Sequence, residues 1–132
     1  MQSGRLLARV LAWACVLTVP ASALAQAEAE RKIERHANIG QTVRLGGHVN
    51  YGPHCSGVTQ TTIIVIRQPN HGTLAVKDEM VTSENPELGA RCAGQSGLGR
   101  VVYYIRTSSG LDKFRYDSSF PSGVVHMDVT VN

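Results

Sequence analysis

The chain is short of tryptophan, cysteine and charge imbalance, and each shortage removes a class of protein. Its 132 residues hold one Trp and three Cys, with 13 Lys+Arg against 10 Asp+Glu. No basic patch interleaved with aromatics is present, so the sequence gives no electrostatic footprint for nucleic acid. The single long apolar run, Val10 to Val19, falls short of the roughly 20 residues needed to cross a bilayer. Gly94-Gln95-Ser96-Gly97 stops short of a serine elbow, because Leu98 stands where the second flanking glycine belongs. No H-x-H or H-x₃-H spacing, Met-rich run or D-x-[DN]-x-[DN] loop points to a dedicated metal site. These gaps leave few enzymes to consider.

What is there begins with an export signal. Arg5 and Arg9 precede the apolar run, Pro20 breaks it, and Ala23-Leu24-Ala25 offers a small-residue cleavage site. Residues 1–25 are read as a cleaved signal peptide, which sends the protein to the periplasm or out of the cell with no transmembrane anchor. Losing Arg5 and Arg9 reduces the formal charge of +3 to about +1. Trp13 and Cys15 leave with the same segment. Two cysteines remain, Cys55 and Cys92, and in an oxidising compartment they are expected to pair. The closed loop is long enough for a chain-entropy stabilisation of about 4 kcal/mol, less any strain.

The mature part reads as strands. Residues 26–38 are polar, with Ile33 as the one large apolar side chain, and are expected to form a solvated lead-in or frayed helix. Residues 39–132 form one domain. Val43, Leu45 and Val49 mark a first strand, with Gly46-Gly47 suggesting a bulge or a close backbone approach. Thr61 to Arg67 (TTIIVIR) is β-branched almost throughout, as expected of a central strand buried on both sides. Thr73 to Val76 follows a turn and Met80 to Thr82 continues it. Ser83 to Gly99 reads as a long loop, and Val101 to Arg106 as the next strand. Phe114 and Tyr116 then face one side while Lys113, Arg115 and Asp117 face the other. The last strand alternates most cleanly, with Val125, Met127, Val129 and Val131 inward and His126, Asp128 and Thr130 outward. About seven short strands without a convincing helix predict an all-β fold, an antiparallel β-sandwich stapled by one disulfide.

One set of residues carries a resemblance. Pro69-x-His71-Gly72-Thr73 is followed by Tyr103-Tyr104, then Gly110-x-Asp112-x-Phe114-x-Tyr116, then a Val-rich terminal strand. This pattern resembles the bacterial Ig-like/cadherin-like repeat, over roughly Thr62 to Val131. Ile105-Arg106 stands where that repeat carries a proline-containing segment, and Ser109 where it carries an aromatic. The resemblance implies an Ig-like sandwich used for adhesion, surface display or protein contact, with no catalytic residues and no cofactor. On this reading the motif residues are structural. Gly110 lets a loop turn, Asp112 bonds nearby backbone N–H groups, and Tyr116 sends its hydroxyl back to the backbone as a tyrosine corner does.

The residues that could carry chemistry give weaker expectations. His54-Cys55 is a poor nucleophile pair, since neighbours on extended chain point apart and the disulfide consumes the thiol. Asp112, Asp117 and Asp128 lack the close pairing that acid/base work requires. Loops joined at Cys55 and Cys92 would be held together, making Tyr51, His54, Arg91 and Gln95 candidate contact side chains. The expected function is non-enzymatic interaction with an envelope or extracellular macromolecule. The alternative is a periplasmic copper- or zinc-binding protein using His48, His54 and His71, should their loops share one end of the sandwich.

Overall fold

Alternation with a period of two governs the second half of the chain, and the longest strands form there. The structure, a computed structural model, describes residues 27–52, 55, 58–59, 61–82, 92, 94–121 and 123–132. Its strands are β1 (Ala27–Arg35), β2 (Thr42–His48), β3 (Asn50–Tyr51), β4 (Val58–Thr59), β5 (Thr62–Arg67), β6 (Gly72–Thr82), β7 (Ser96–Arg106), β8 (Asp112–Phe120) and β9 (Gly123–Val131). One sheet has the order β1-β9-β8-β5, a second β2-β7-β6, and β3 pairs with β4 as a separate hairpin. The fold is all-β.

The two larger sheets close on one core. β8 contributes Phe114, Tyr116 and Phe120, and β9 contributes Val125, Met127, Val129 and Val131. From the second sheet come Leu45, Val102 and Tyr104. Along β9 every odd-numbered residue is buried and every even-numbered one half-buried, as the sequence pattern required. The result is a β-sandwich. The glycine pair in β2 does mark an irregularity: the pairing with β7 shifts between Arg44 and Gly46, and the extra residue, Leu45, turns into the core at 2% exposure.

Three expectations change. Residues 27–35 are not a lead-in or a helix but strand β1, which runs parallel to β9 from Ala27 opposite Gly123 to Arg35 opposite Val131. That makes the first sheet mixed rather than purely antiparallel. The segment alternates after all, with Ala29 and Ile33 packed on the core while Glu28, Glu30, Lys32 and Glu34 are exposed. Arg35 fastens its end to the other sheet by donating to the backbone oxygens of Arg44 and Leu45, each at 3.3 Å.

β5 is the second change. Its β-branched run suggested burial on both faces, yet the strand lies at the edge of its sheet, with Ile64 48% and Ile66 56% exposed. β-Branched residues favour the pleated backbone wherever it lies, so propensity alone could not separate edge from centre. The third is the loop after β6, whose last residues, Ser96 to Gly99, belong to β7 and pair with Glu79 to Thr82.

Candidate functional site

Two parts of the sequence motif meet at one end of the sandwich. Asp112 opens β8 and has no solvent exposure. Its Oδ1 accepts the N–H of Asn70 at 2.7 Å, and its Oδ2 accepts the N–H of His71 at 2.8 Å and the Tyr104 hydroxyl at 2.9 Å. These donors lie 41 and 42 residues back along the chain for the turn, so the carboxylate clamps a remote turn rather than its own. The His71 carbonyl in turn accepts from Thr107 N at 2.9 Å and Ser108 N at 3.2 Å. His71 Nδ1 lies 3.0 Å from Ser108 Oγ.

The glycines of the motif follow from this crowding. A Cβ on Gly72 would overlap the edge of the Tyr104 ring and stand 2.6 Å from the Ile105 oxygen. Gly110 has φ +128°, and a Cβ there would stand 2.7 Å from His71 Nε2. Arg106, itself buried, donates to the Gly110 carbonyl. Phe114 stacks on Tyr104 with ring centroids 5.5 Å apart and planes 12° from parallel. Pro69 is half-buried in the clamped turn, and Thr73 pairs with Ile105, one step after Gly72 opens the ladder opposite Arg106. The two motifs are therefore halves of one clamp.

Ser108, His71 and Asp112 are the residue types of a hydrolytic triad, and they are close together. In a triad the carboxylate orients the imidazole. Here Asp112 bonds the backbone N–H of His71, not its ring, and the third ligand is Tyr104. The arrangement holds a turn.

A second polar contact crosses the core. His48, 1% exposed, brings Nε2 to 3.0 Å from the Tyr116 hydroxyl, and the two rings meet edge to face at 5.5 Å. The Tyr116 hydroxyl thus reaches an imidazole on the opposite sheet. The register also separates two members of the proposed metal trio. His48 pairs with Arg100 and the residue after His71 pairs with Arg106, six positions further along β7. At a strand rise of about 3.3 Å per residue that is about 20 Å, so His48 and His71 do not converge. His54, the third member, lies outside the described residues. Among the described residues, no three of His, Cys, Asp or Glu are placed to hold a metal ion.

The opposite end is tied by the disulfide. Cys55 and Cys92 are bonded, with Cα atoms 5.5 Å apart. Cys55 N–H donates to the Gly52 oxygen at 3.2 Å, and Gln95 N–H to the Cys92 oxygen at 3.1 Å, so each cysteine sits in a turn. The Tyr51 hydroxyl donates across to the Gln95 carbonyl at 2.6 Å. Two of the four expected contact residues, Tyr51 and Gln95, are thereby brought together, while His54 and Arg91 lie outside the described residues. Converting the two cysteines to serine should cost up to about 4 kcal/mol in denaturant unfolding. In unreduced, denatured protein neither Cys55 nor Cys92 should react with a thiol reagent.

Sequence reasoning missed the outer face of the first sheet as a unit. His126 Nδ1 lies 2.8 Å from Asp117 Oδ1, and Arg115 bridges Asp117 and Asp128 at 3.7 and 3.8 Å. The outward alternation of β8 and β9 was the available signal. Such partly exposed pairs add little stability. On the second sheet, the Tyr103 hydroxyl donates to both Glu79 carboxylate oxygens, with Lys77 above its ring.

Three tyrosines hold their protons more tightly than usual. Burial pushes Tyr104 up, helped by its hydrogen bond to Asp112; the bond to Glu79, then burial, raises Tyr103; burial raises Tyr51. A folded-state value above the unfolded one means stability that is complete below about pH 10 and lost as pH rises through the folded value. The denaturant midpoint should therefore be unaffected by these groups up to about pH 9 and fall above about pH 10, with a shallower fall in Tyr104→Phe.

The protein is thus a disulfide-tied β-sandwich, and its disulfide marks an oxidising, non-cytoplasmic environment. Among the described residues no helix is long and apolar enough to cross a membrane. In comparisons with known proteins, no family model, curated protein or solved structure matches the chain.

Proposed function

We propose that this chain is an exported Ig-like domain, periplasmic or secreted after removal of residues 1–25, that binds another envelope or extracellular macromolecule without catalysing a reaction. The observation that carries this reading is the loop end, where the Cys55–Cys92 bond and the Tyr51–Gln95 hydrogen bond fix two loops to each other on a rigid scaffold. The Ig-like reading draws support from strand order. Taking β1, β2 and β5 to β9 as strands A to G, the sheets run C-F-G and B-E-D, the order of an Ig-type sandwich, with strand A laid against G. The non-enzymatic reading draws support from the clamp, where Asp112, His71 and Tyr104 are engaged in holding turns.

A photo-crosslinking residue at Gln95, in the full chain and in cells, tests this. The expected result is a discrete adduct from Gln95 and none from Lys113, on the outer face of the first sheet. Excess wild-type protein should compete the adduct away, and Tyr51→Ala protein should compete poorly. Equal capture from both positions, or none from Gln95, overturns the proposal.

A further inference from the structure

The clamp end of the sandwich differs from the rest of the surface. β1, β5 and β7 finish there, β2, β6 and β8 begin there, and residues 36–41, 68–71 and 107–111 connect them. Every residue of these connections is described, and the stretches outside the described residues join the fold at the opposite end. Of the exposed large apolar side chains, Ile64, Ile66, Val76, Met80 and Leu98 lie within strands. Ile39 and Leu111, 64% and 57% exposed, stand instead in two of these connections. One arginine brings them together. The Gly40 N–H donates to the Arg106 carbonyl at 2.8 Å, and the Arg106 side chain donates to the Gly110 carbonyl. Ile39 precedes Gly40 and Leu111 follows Gly110, so the two apolar residues flank Arg106.

The charge at this end has one sign. Residues 35–42, 67–72 and 106–113 hold Arg35, His36, Arg67, His71, Arg106 and Lys113 against a single carboxylate, Asp112. Asp112 has no solvent exposure and engages both oxygens in the clamp, whereas Arg35, Arg67 and Lys113 are exposed. Arg106 is buried beneath the two turns, and its Nη1 has no hydrogen-bond partner among the described residues, which adds to the positive potential. Glu34, one step back along β1, is the first exposed acidic side chain. We propose that the clamp end docks on an anionic lipid surface. Ile39 and Leu111 enter the boundary between headgroups and acyl chains, and Arg35, Arg67 and Lys113 meet the phosphates.

Charge complementarity selects that occupant. Two aliphatic tips among cations match a membrane interface, which is apolar just below an anionic layer. A stable protein interface covers about 800 Å² a side, more than two separate tips supply. The clamp adds rigidity. Asp112 ties the turn at Asn70 and His71 to β8, and the His71 carbonyl holds Thr107 and Ser108, so the turn carrying Leu111 is set before it meets lipid. With two apolar tips and three exposed cations, attachment is reversible and weakens with salt. It leaves the disulfide-tied end facing away from the lipid, and the inference does not rest on the reading of that end.

Flotation of the exported protein with lipid vesicles tests it. The wild type should float with vesicles containing phosphatidylglycerol and not with phosphatidylcholine alone, and salt at about 1 M should weaken the attachment. Ile39→Ser combined with Leu111→Ser should reduce binding by about tenfold or more. Lys113→Glu, which keeps both apolar tips, should reduce it by about fivefold or more. Ile64→Ser, at an exposed position within β5, should bind as the wild type does. Leu111→Trp should shift its fluorescence to the blue when anionic vesicles are added, and Leu98→Trp should not. Matching thermal unfolding of each variant with wild type shows that the fold is intact. No binding to anionic vesicles, equal binding to neutral ones, or binding indifferent to the double serine variant overturns the proposal. A discrete protein adduct from a photo-crosslinking residue at Leu111 in cells also overturns it, and assigns this end to a protein partner.

Discussion

Asp112→Ala is expected to lower the unfolding free energy by about 4 to 5 kcal/mol in denaturant titration. The carboxylate has no solvent exposure and accepts three hydrogen bonds, from Asn70 N, His71 N and the Tyr104 hydroxyl. Removing it strands three donors at once. Each buried unsatisfied group costs about 1–3 kcal/mol, and the costs add incompletely because the donors share one acceptor. Asp112→Asn separates shape from chemistry. One oxygen survives to accept, but the amide nitrogen turns an N–H toward a donor, so about half the loss should remain. A loss under about 1 kcal/mol for the alanine variant would mean that water replaces the carboxylate and that the clamp adds little.

Phe114→Ala should cost a similar amount, about 4 to 5 kcal/mol. The side chain is fully buried in the shared core and stacks on Tyr104 from the opposite sheet. Truncation loses the transfer free energy of the ring and leaves a cavity that two rigid sheets close poorly, which places it high in the usual 3–5 kcal/mol range for Phe to Ala. The same substitution removes the packing that holds Tyr104 against Asp112. Combined with Asp112→Ala it should therefore cost less than the sum of the two.

Most of the fold was legible in the sequence because its later strands alternate. β9 could be read residue by residue, and β8 likewise, since Phe114 and Tyr116 bury while Lys113 is exposed and Arg115 half-buried. β5 was placed in the wrong part of its sheet because T-I-I-V-I fits an edge as well as a centre, and only the pairing partners decide. β1 was missed because one isoleucine and one alanine make a faint stripe in a charged segment. Its place depends on β9, about a hundred residues away, which no local pattern reports.

The sites show the same limit. Both halves of the clamp were visible as motifs. Their union was not visible, because an Asp that caps its own turn and one that caps a turn 41 residues away look alike in sequence. The His48–Tyr116 contact spans 68 residues and left no local trace. Cysteine arithmetic, by contrast, gave the disulfide directly, because only two partners remained once the leading segment was set aside.

Asp112, with the aromatic residues Phe114 and Tyr116 that follow it at the opening of β8, is the fold's clamp. Amide hydrogen exchange at Asn70 and His71 tests it most directly. These two N–H groups lie in a turn, where amides ordinarily exchange fast, yet both donate to a fully buried carboxylate. In the wild type they should be protected nearly as strongly as the β8 and β9 ladder, and in Asp112→Ala their protection should collapse while that of the ladder falls only with global stability. Exchange at the rate of an open turn in the wild type would contradict the account.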